Sequence, residues 1–134
     1  MRTLHLYFDG GTIHGSFKLY DDRVDEAALI HHQIYEMDGI ADSNQAEFTV
    51  LLRALCWATV HVDTHPQSFL KLYGDCRTVH TIVGKHVNDQ WKGEISTREV
   101  YNYLAAQIRT RLEMFGGHKY TNVTRATIKQ ILGH

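Results

Sequence analysis

The sequence is poor in the residues that stiffen or staple a chain. It holds one proline and two cysteines in 134 residues, which excludes a disulfide-built scaffold, a proline-rich linker and a collagen-like repeat. Cys56 and Cys76 fall in segments that read as a helix and a strand end, without C-x-x-C spacing, so free thiols are expected and a zinc knuckle is not. Long apolar runs are missing too: the longest are about ten residues and are broken by charge, too short to span a bilayer or to act as a secretory leader. A soluble, cytosolic protein with no membrane partner is the expectation. Nor is charge of one sign in excess. Fourteen basic residues against fifteen acidic ones leave a formal charge of −1, so any contact with phosphate must come from local groups rather than from a bulk field.

What is plentiful is histidine, with ten copies, and a fall of about one pH unit below neutrality would make the surface more positive. A hydrophobic content of 43% in this length suits one globular domain over residues 1–134, expected as a monomer.

Leu4, Leu6 and Phe8 alternate with His5 and Tyr7 in "TLHLYFDGG", and "TIHGSFKLYDD" repeats the pattern after a glycine turn, which predicts an antiparallel hairpin. "ALIHHQIYEM", Ala28 to Met37, predicts a third strand before the turn cluster "DGIADS". The period then changes. Ala46, Val50, Leu51, Ala54, Leu55 and Ala58 in "NQAEFTVLLRALCWATVHV" recur at helical spacing. "SFLKLYGDC" reads as a buried strand, and "CRTVHTIVGKHV" as a short helix on Val79, Ile82 and Val83. "STREVYNYLAAQIRTRLEMFGG" starts on Ser96 or Thr97 before Glu99 and stops at Gly116-Gly117, a long helix. "HKYTNVT" and "RATIKQILGH" give a last strand and a last helix, so the order is βββαβααβα.

Three acids stand at the junctions of these elements: Asp9 at the end of the first strand, Glu47 in the first turn of the first helix, Asp75 between the fourth strand and its helix. Singly, each has an ordinary use. Asp-Gly is a hairpin-turn dipeptide, Asn44-x-x-Glu47 matches a capping box, and Asp75 could cap a helix. Jointly they suggest more. With the fourth strand parallel to the first and beside it, Asp9 and Asp75 emerge together at one sheet edge, and a helix starting at that end brings Glu47 to them. Carboxylates so gathered repel one another unless a cation intervenes, and hard oxygen ligands favour Mg²⁺ or Mn²⁺.

The succession "YFDGG", "NQAEFTVLLRAL" and "LYGDCRTV" on this element order resembles the ribonuclease H fold, in its type 1 ribonuclease H and reverse-transcriptase-like branch. Asp9, Glu47 and Asp75 match the family's DGG, N-x-A-E and strand-end acid one by one. The resemblance implies an α/β fold with a mixed five-stranded sheet, three antiparallel strands plus parallel ones, flanked by helices. It also implies a metal-dependent endonuclease that hydrolyses the RNA strand of RNA–DNA hybrids, using two Mg²⁺ or Mn²⁺ ions about 3.5–4 Å apart. Asp9 would bridge the ions, Glu47 and Asp75 would complete their shells, and Asn44 would be the amide that contacts the hybrid. Gly10, Gly11 and Thr12 are small enough for RNA to approach the backbone.

The match is incomplete. The family's fourth carboxylate lies in an N-x-x-A-D-x-L-A context of the last helix, whereas the last acid here is Glu113. Pairing "NVTRAT" with that motif puts Thr127 at the position; pairing "NVTR" with the family's "HVPR" puts it near Gly133-His134, and His134 is preferred because an imidazole can ligate Mn²⁺. His118, after Gly116-Gly117, matches the family's mobile histidine that assists product release. The family's aromatic and basic handle shrinks to "GKHVNDQWKGE", where Lys85, Trp91 and Lys92 remain. Trp91 either lies against a deoxyribose or caps the core, Lys92 could meet a phosphate, and Arg77 is a further phosphate contact. His61-x-x-x-His65 has helical zinc spacing but no third ligand, so a surface role is expected. Two other functions fit the residues: a nuclease of this fold acting on double-stranded RNA or branched DNA, and a non-catalytic nucleic-acid or protein-binding module with an incomplete metal site.

Overall fold

The computed structural model of the chain describes residues 2–63 and 67–133. Strands β1 (Arg2–Gly10), β2 (His14–Asp21) and β3 (Leu29–Glu36) form the expected antiparallel meander, with one 3₁₀ turn at Glu26–Ala28 ahead of β3. Helix α1 (Ser43–His61) follows, then β4 (Ser68–Gly74), helix α2 (Arg77–Val83), a small hairpin of β5 (Lys85–Val87) and β6 (Gln90–Lys92), helix α3 (Glu99–Leu112), β7 (Gly117–Asn122) and helix α4 (Arg125–Leu132). The main sheet has the order β3-β2-β1-β4-β7. Its first two pairings are antiparallel and its last two parallel, which is the mixed five-stranded sheet that the sequence pattern implies.

Alternation along β1 explains its central place. Leu4, Leu6 and Phe8 point into a large apolar cluster with Phe48, Leu51 and Leu55 of α1, and Ile108 and Leu112 of α3. Tyr7 points the other way, into a smaller cluster with Tyr20 of β2 and Ile128 and Leu132 of α4. The strand is therefore covered on both faces, and its period of two decides which residue meets which layer.

The β1–β4 register pairs Tyr7 with Tyr73. Asp9 and Asp75 each lie two residues further on, so both leave the sheet at the same end.

Two local readings change. The segment expected as a loop between α2 and α3 is a hairpin in which Lys85 faces Lys92 and His86 faces Trp91. Asn88 and Asp89 form its turn with φ of 52° and 61°, the left-handed pair of a type I′ turn that these two residue types tolerate. The helix starts also differ. Asp42, not Asn44, caps α1, accepting from the Gln45 amide at 2.8 Å. Helix α3 begins after Arg98 without a side-chain cap; the Ser96 hydroxyl accepts from the Arg98 amide one step earlier.

Candidate metal centre

Asp42 fixes the helix that carries Glu47. Beyond its cap bond, its carboxylate accepts from the Tyr101 hydroxyl at 2.8 Å and pairs with Arg98 at 2.8 Å, tying the start of α1 to α3. On the other side α1 lies directly on the end of β1. A Cβ added to Gly10 would stand 2.5 Å from the Ala46 carbonyl oxygen, so only glycine permits this approach. Gly10 is buried, and it seats α1 on the strand end. Its amide donates to the Glu47 carboxylate.

The result is the predicted gathering: oxygens of Asp9, Glu47 and Asp75 all lie within 4.8 Å of one another. Asp9 sits inside β1 opposite Ser16 and is 4% exposed, so it is not a turn residue. Glu47 is the fifth residue of α1, past the capping positions, and is 6% exposed. Asp75 precedes the Cys76 cap position of α2 and makes no cap bond there. None of the three serves the local structural purpose that its sequence context suggested.

Burial, a hydrogen bond with Asp9 and the charge of Asp9 push Glu47 up to about 10 in the metal-free protein. Its Oε2 atom is buried with no hydrogen-bond partner among the described residues. A buried carboxylate oxygen without a partner, beside two further carboxylates, fits a divalent cation.

One residue of the site escaped the sequence reading. The Arg125 guanidinium stands 2.6 Å from Asp9 Oδ2 and 3.4 Å from Asp75 Oδ2. It is the first residue of α4, where the Thr124 hydroxyl caps the helix by accepting from the Thr127 amide. Nothing local in "NVTR" marks it: Arg125 stands three residues past β7, and only the fold brings it to the acids at the ends of β1 and β4. The Thr127 hydroxyl shares a hydrogen bond with that of Thr124, at 3.0 Å. From Arg125 the helix runs back over Tyr7 and Tyr20, away from the acids. His134 and His65 lie outside the described residues.

Two open grooves meet at Glu47 and Asp75. One, of about 510 Å³, is lined by Asp9, Gly10, Gly11, Thr12 and Arg125; the other, of about 410 Å³, by Asn44, Cys76 and Arg77. Cys76 Sγ donates to Asn44 Oδ1 at 3.4 Å, and Tyr120 Oη donates to the Cys76 carbonyl at 3.2 Å, fixing the turn after Asp75. The remaining sequence candidates stand elsewhere. His118 is the second residue of β7, not a loop residue, and pairs with Leu70 near the start of β4; four residues of strand, about 13 Å, separate it from the carboxylate end. Trp91 stacks on His86 and His118, donates through Nε1 to Glu113 and packs on the core. Lys92 is exposed on the hairpin.

The same architecture recurs in solved structures. RNase H1 from the halophilic archaeon Halobacterium salinarum superposes with a TM-score of 0.69 over 96% of this chain and 91% of that one, at 22% identity. The chain has the ribonuclease H fold. The N-terminal RNase H domain of a Mycobacterium tuberculosis protein agrees with it at a TM-score of 0.72, over 98% of this chain and 88% of that one, with 18% identity. An RNase H1 isolated from compost, solved with an RNA/DNA hybrid, matches at 0.58 over 96% and 90%, with 16% identity. No protein-family model matches the chain, and no curated protein matches its sequence. The likeness therefore lies in the backbone. No helix among the described residues is long and apolar enough to cross a membrane.

Proposed function

We propose that the protein is an endonuclease that hydrolyses the RNA strand of RNA–DNA hybrids, using two Mg²⁺ or Mn²⁺ ions held by Asp9, Glu47 and Asp75. The observation that carries this reading is the convergence of those three carboxylates, each free of the local capping or turn duty its sequence context offered, where β1 and β4 end on a ribonuclease H fold. Divalent ions at such a site supply a nucleophile at neutral pH and neutralise the charge that develops on the leaving oxygen. The chain's own part is positional. Strand β1 holds Asp9 rigidly between the other two acids, Gly10 lets α1 present Glu47, and the locked turn after Gly74 presents Asp75. The groove at Gly11 and Thr12 and the groove at Asn44 and Arg77 give a nucleic acid a path on each side of the acids. That a relative of this fold was solved with an RNA/DNA hybrid supports the substrate class.

The absence of a fourth acid from the gathered oxygens among the described residues favours a second reading, a module that binds nucleic acid without cutting it. Incubation with a labelled hybrid, beside matched RNA–RNA and DNA–DNA duplexes, with each metal and with Asp9→Asn as control, separates the two. Cleavage of the hybrid's RNA strand that the substitution abolishes is expected. Binding of the hybrid without cleavage would replace the enzyme by the module, and cleavage confined to another duplex would change the substrate.

A further inference from the structure

We propose that Arg125 is a built-in stand-in for the metal: its guanidinium occupies the carboxylate face that a divalent ion needs, and metal loading requires it to leave. The inference rests on the metal reading above and deepens it. Asp9 Oδ2 accepts from Arg125 Nη1 at 2.6 Å, and the same nitrogen lies 3.4 Å from Asp75 Oδ2. A single cation thus bridges two of the three acids that a metal would bridge. A divalent ion would need the same Asp9 and Asp75 oxygens that Arg125 Nη1 occupies, and a guanidinium left in place there would add a repulsion of several kcal/mol at about 4 Å and an effective dielectric of about 20.

The charges of the metal-free site explain why an arginine is tolerated there. Asp9 is 4% exposed and Glu47 6%, and two buried carboxylates with no cation would be costly. Arg125 balances part of the negative charge gathered there, and the acids stay together without metal. The guanidinium is also able to leave. Its side chain is 49% exposed against 6% for that of Asp9, and it springs from the first turn of α4, at the groove lined by Gly11 and Thr12. An arginine swung into that groove remains within reach of the site and presents its fork to a phosphate. The residue that shields the acids in the empty site therefore becomes a substrate-positioning residue in the loaded one.

The test is Mn²⁺ binding by isothermal titration and by water-proton relaxation, in the absence of nucleic acid, for the native chain, Arg125→Gln and Arg125→Ala. Circular dichroism checks the fold, and the glutamine retains size and polarity should the alanine fail to fold. Removing the competing charge is expected to tighten Mn²⁺ binding by about tenfold or more. Mg²⁺ added to the native chain is expected to shift the Arg125 Nε–H resonance in step with metal occupancy. Equal or weaker Mn²⁺ affinity in the folded glutamine variant, or a resonance unmoved at saturating Mg²⁺, would overturn the stand-in while leaving the metal site in place. Absence of Mn²⁺ binding in the native chain and in both variants would overturn the metal reading as well.

Discussion

The two ends of the parallel strand pair β4–β7 hold clusters of ionisable residues under opposite conditions. Where β7 begins, His118, Trp91 and His86 stack in a row and Trp91 has a hydrogen-bond partner in Glu113. His80 stacks on Tyr120 nearby. Where β4 ends, three carboxylates crowd together, one of them with a buried orphan oxygen. The first end is satisfied by its own neighbours. The second is satisfied only in part, by Arg125 and a proton on Glu47. Ten histidines drew attention in the sequence, yet those near Trp91 are absorbed in packing, whereas two aspartates and a glutamate in commonplace contexts carry the unbalanced charge. Unmet electrostatic demand locates the site better than abundance of a reactive residue type.

The largest effect should come from the unbalanced end. Asp9→Asn is expected to lower hybrid cleavage by a factor on the order of 10³ or more while leaving the fold intact, read as single-turnover rates beside a circular dichroism spectrum. Gly10→Ala comes next. The added methyl meets the Ala46 carbonyl, so α1 must shift, with a loss of about 2–3 kcal/mol in urea unfolding and weaker metal binding as Glu47 moves.

A subtler probe is pH. The folded value of Glu47, about 10, lies above its ordinary 4.5. Metal-free protein therefore keeps a proton that the unfolded chain releases. That contribution to stability is fully present below the ordinary value and is lost as pH rises towards the folded one. The urea midpoint without metal should fall with rising pH in this window, and Glu47→Gln should flatten the slope. Metal must displace the same proton, so apparent metal affinity should rise by up to about tenfold per pH unit. The smallest effect is expected at the satisfied end: His118→Ala should cost about 1 kcal/mol or less and change turnover by no more than about twofold. A turnover collapse there would break the contrast between the two ends.

The sequence made the layers legible because periodicity records burial directly. The alternation of Leu4, Leu6 and Phe8 gave β1, and the helical recurrence of Val50, Leu51, Ala54 and Leu55 gave α1. The acids could be joined because a parallel β1–β4 pair follows from element order alone. The β5–β6 hairpin was harder to see, since three-residue strands with mostly exposed side chains leave no apolar alternation, and only the Asn88-Asp89 turn marks them. Asp42 was passed over for Asn44 because both can cap, and only the tertiary bonds to Tyr101 and Arg98 decide between them. Arg125 stayed hidden for a related reason: its partners are 116 and 50 residues away, beyond any local pattern.

The pairing of Tyr7 with Tyr73 makes β1 and β4 a ruler with two-residue graduations. A single residue inserted between Ser68 and Gly74 would turn Asp75 to the opposite side of the sheet, while a pair would preserve its facing and only lengthen its reach. Length changes between Ser68 and Gly74 should therefore be tolerated by parity rather than by size, and a library of one-, two- and three-residue insertions there would recover metal binding, if at all, in the even member.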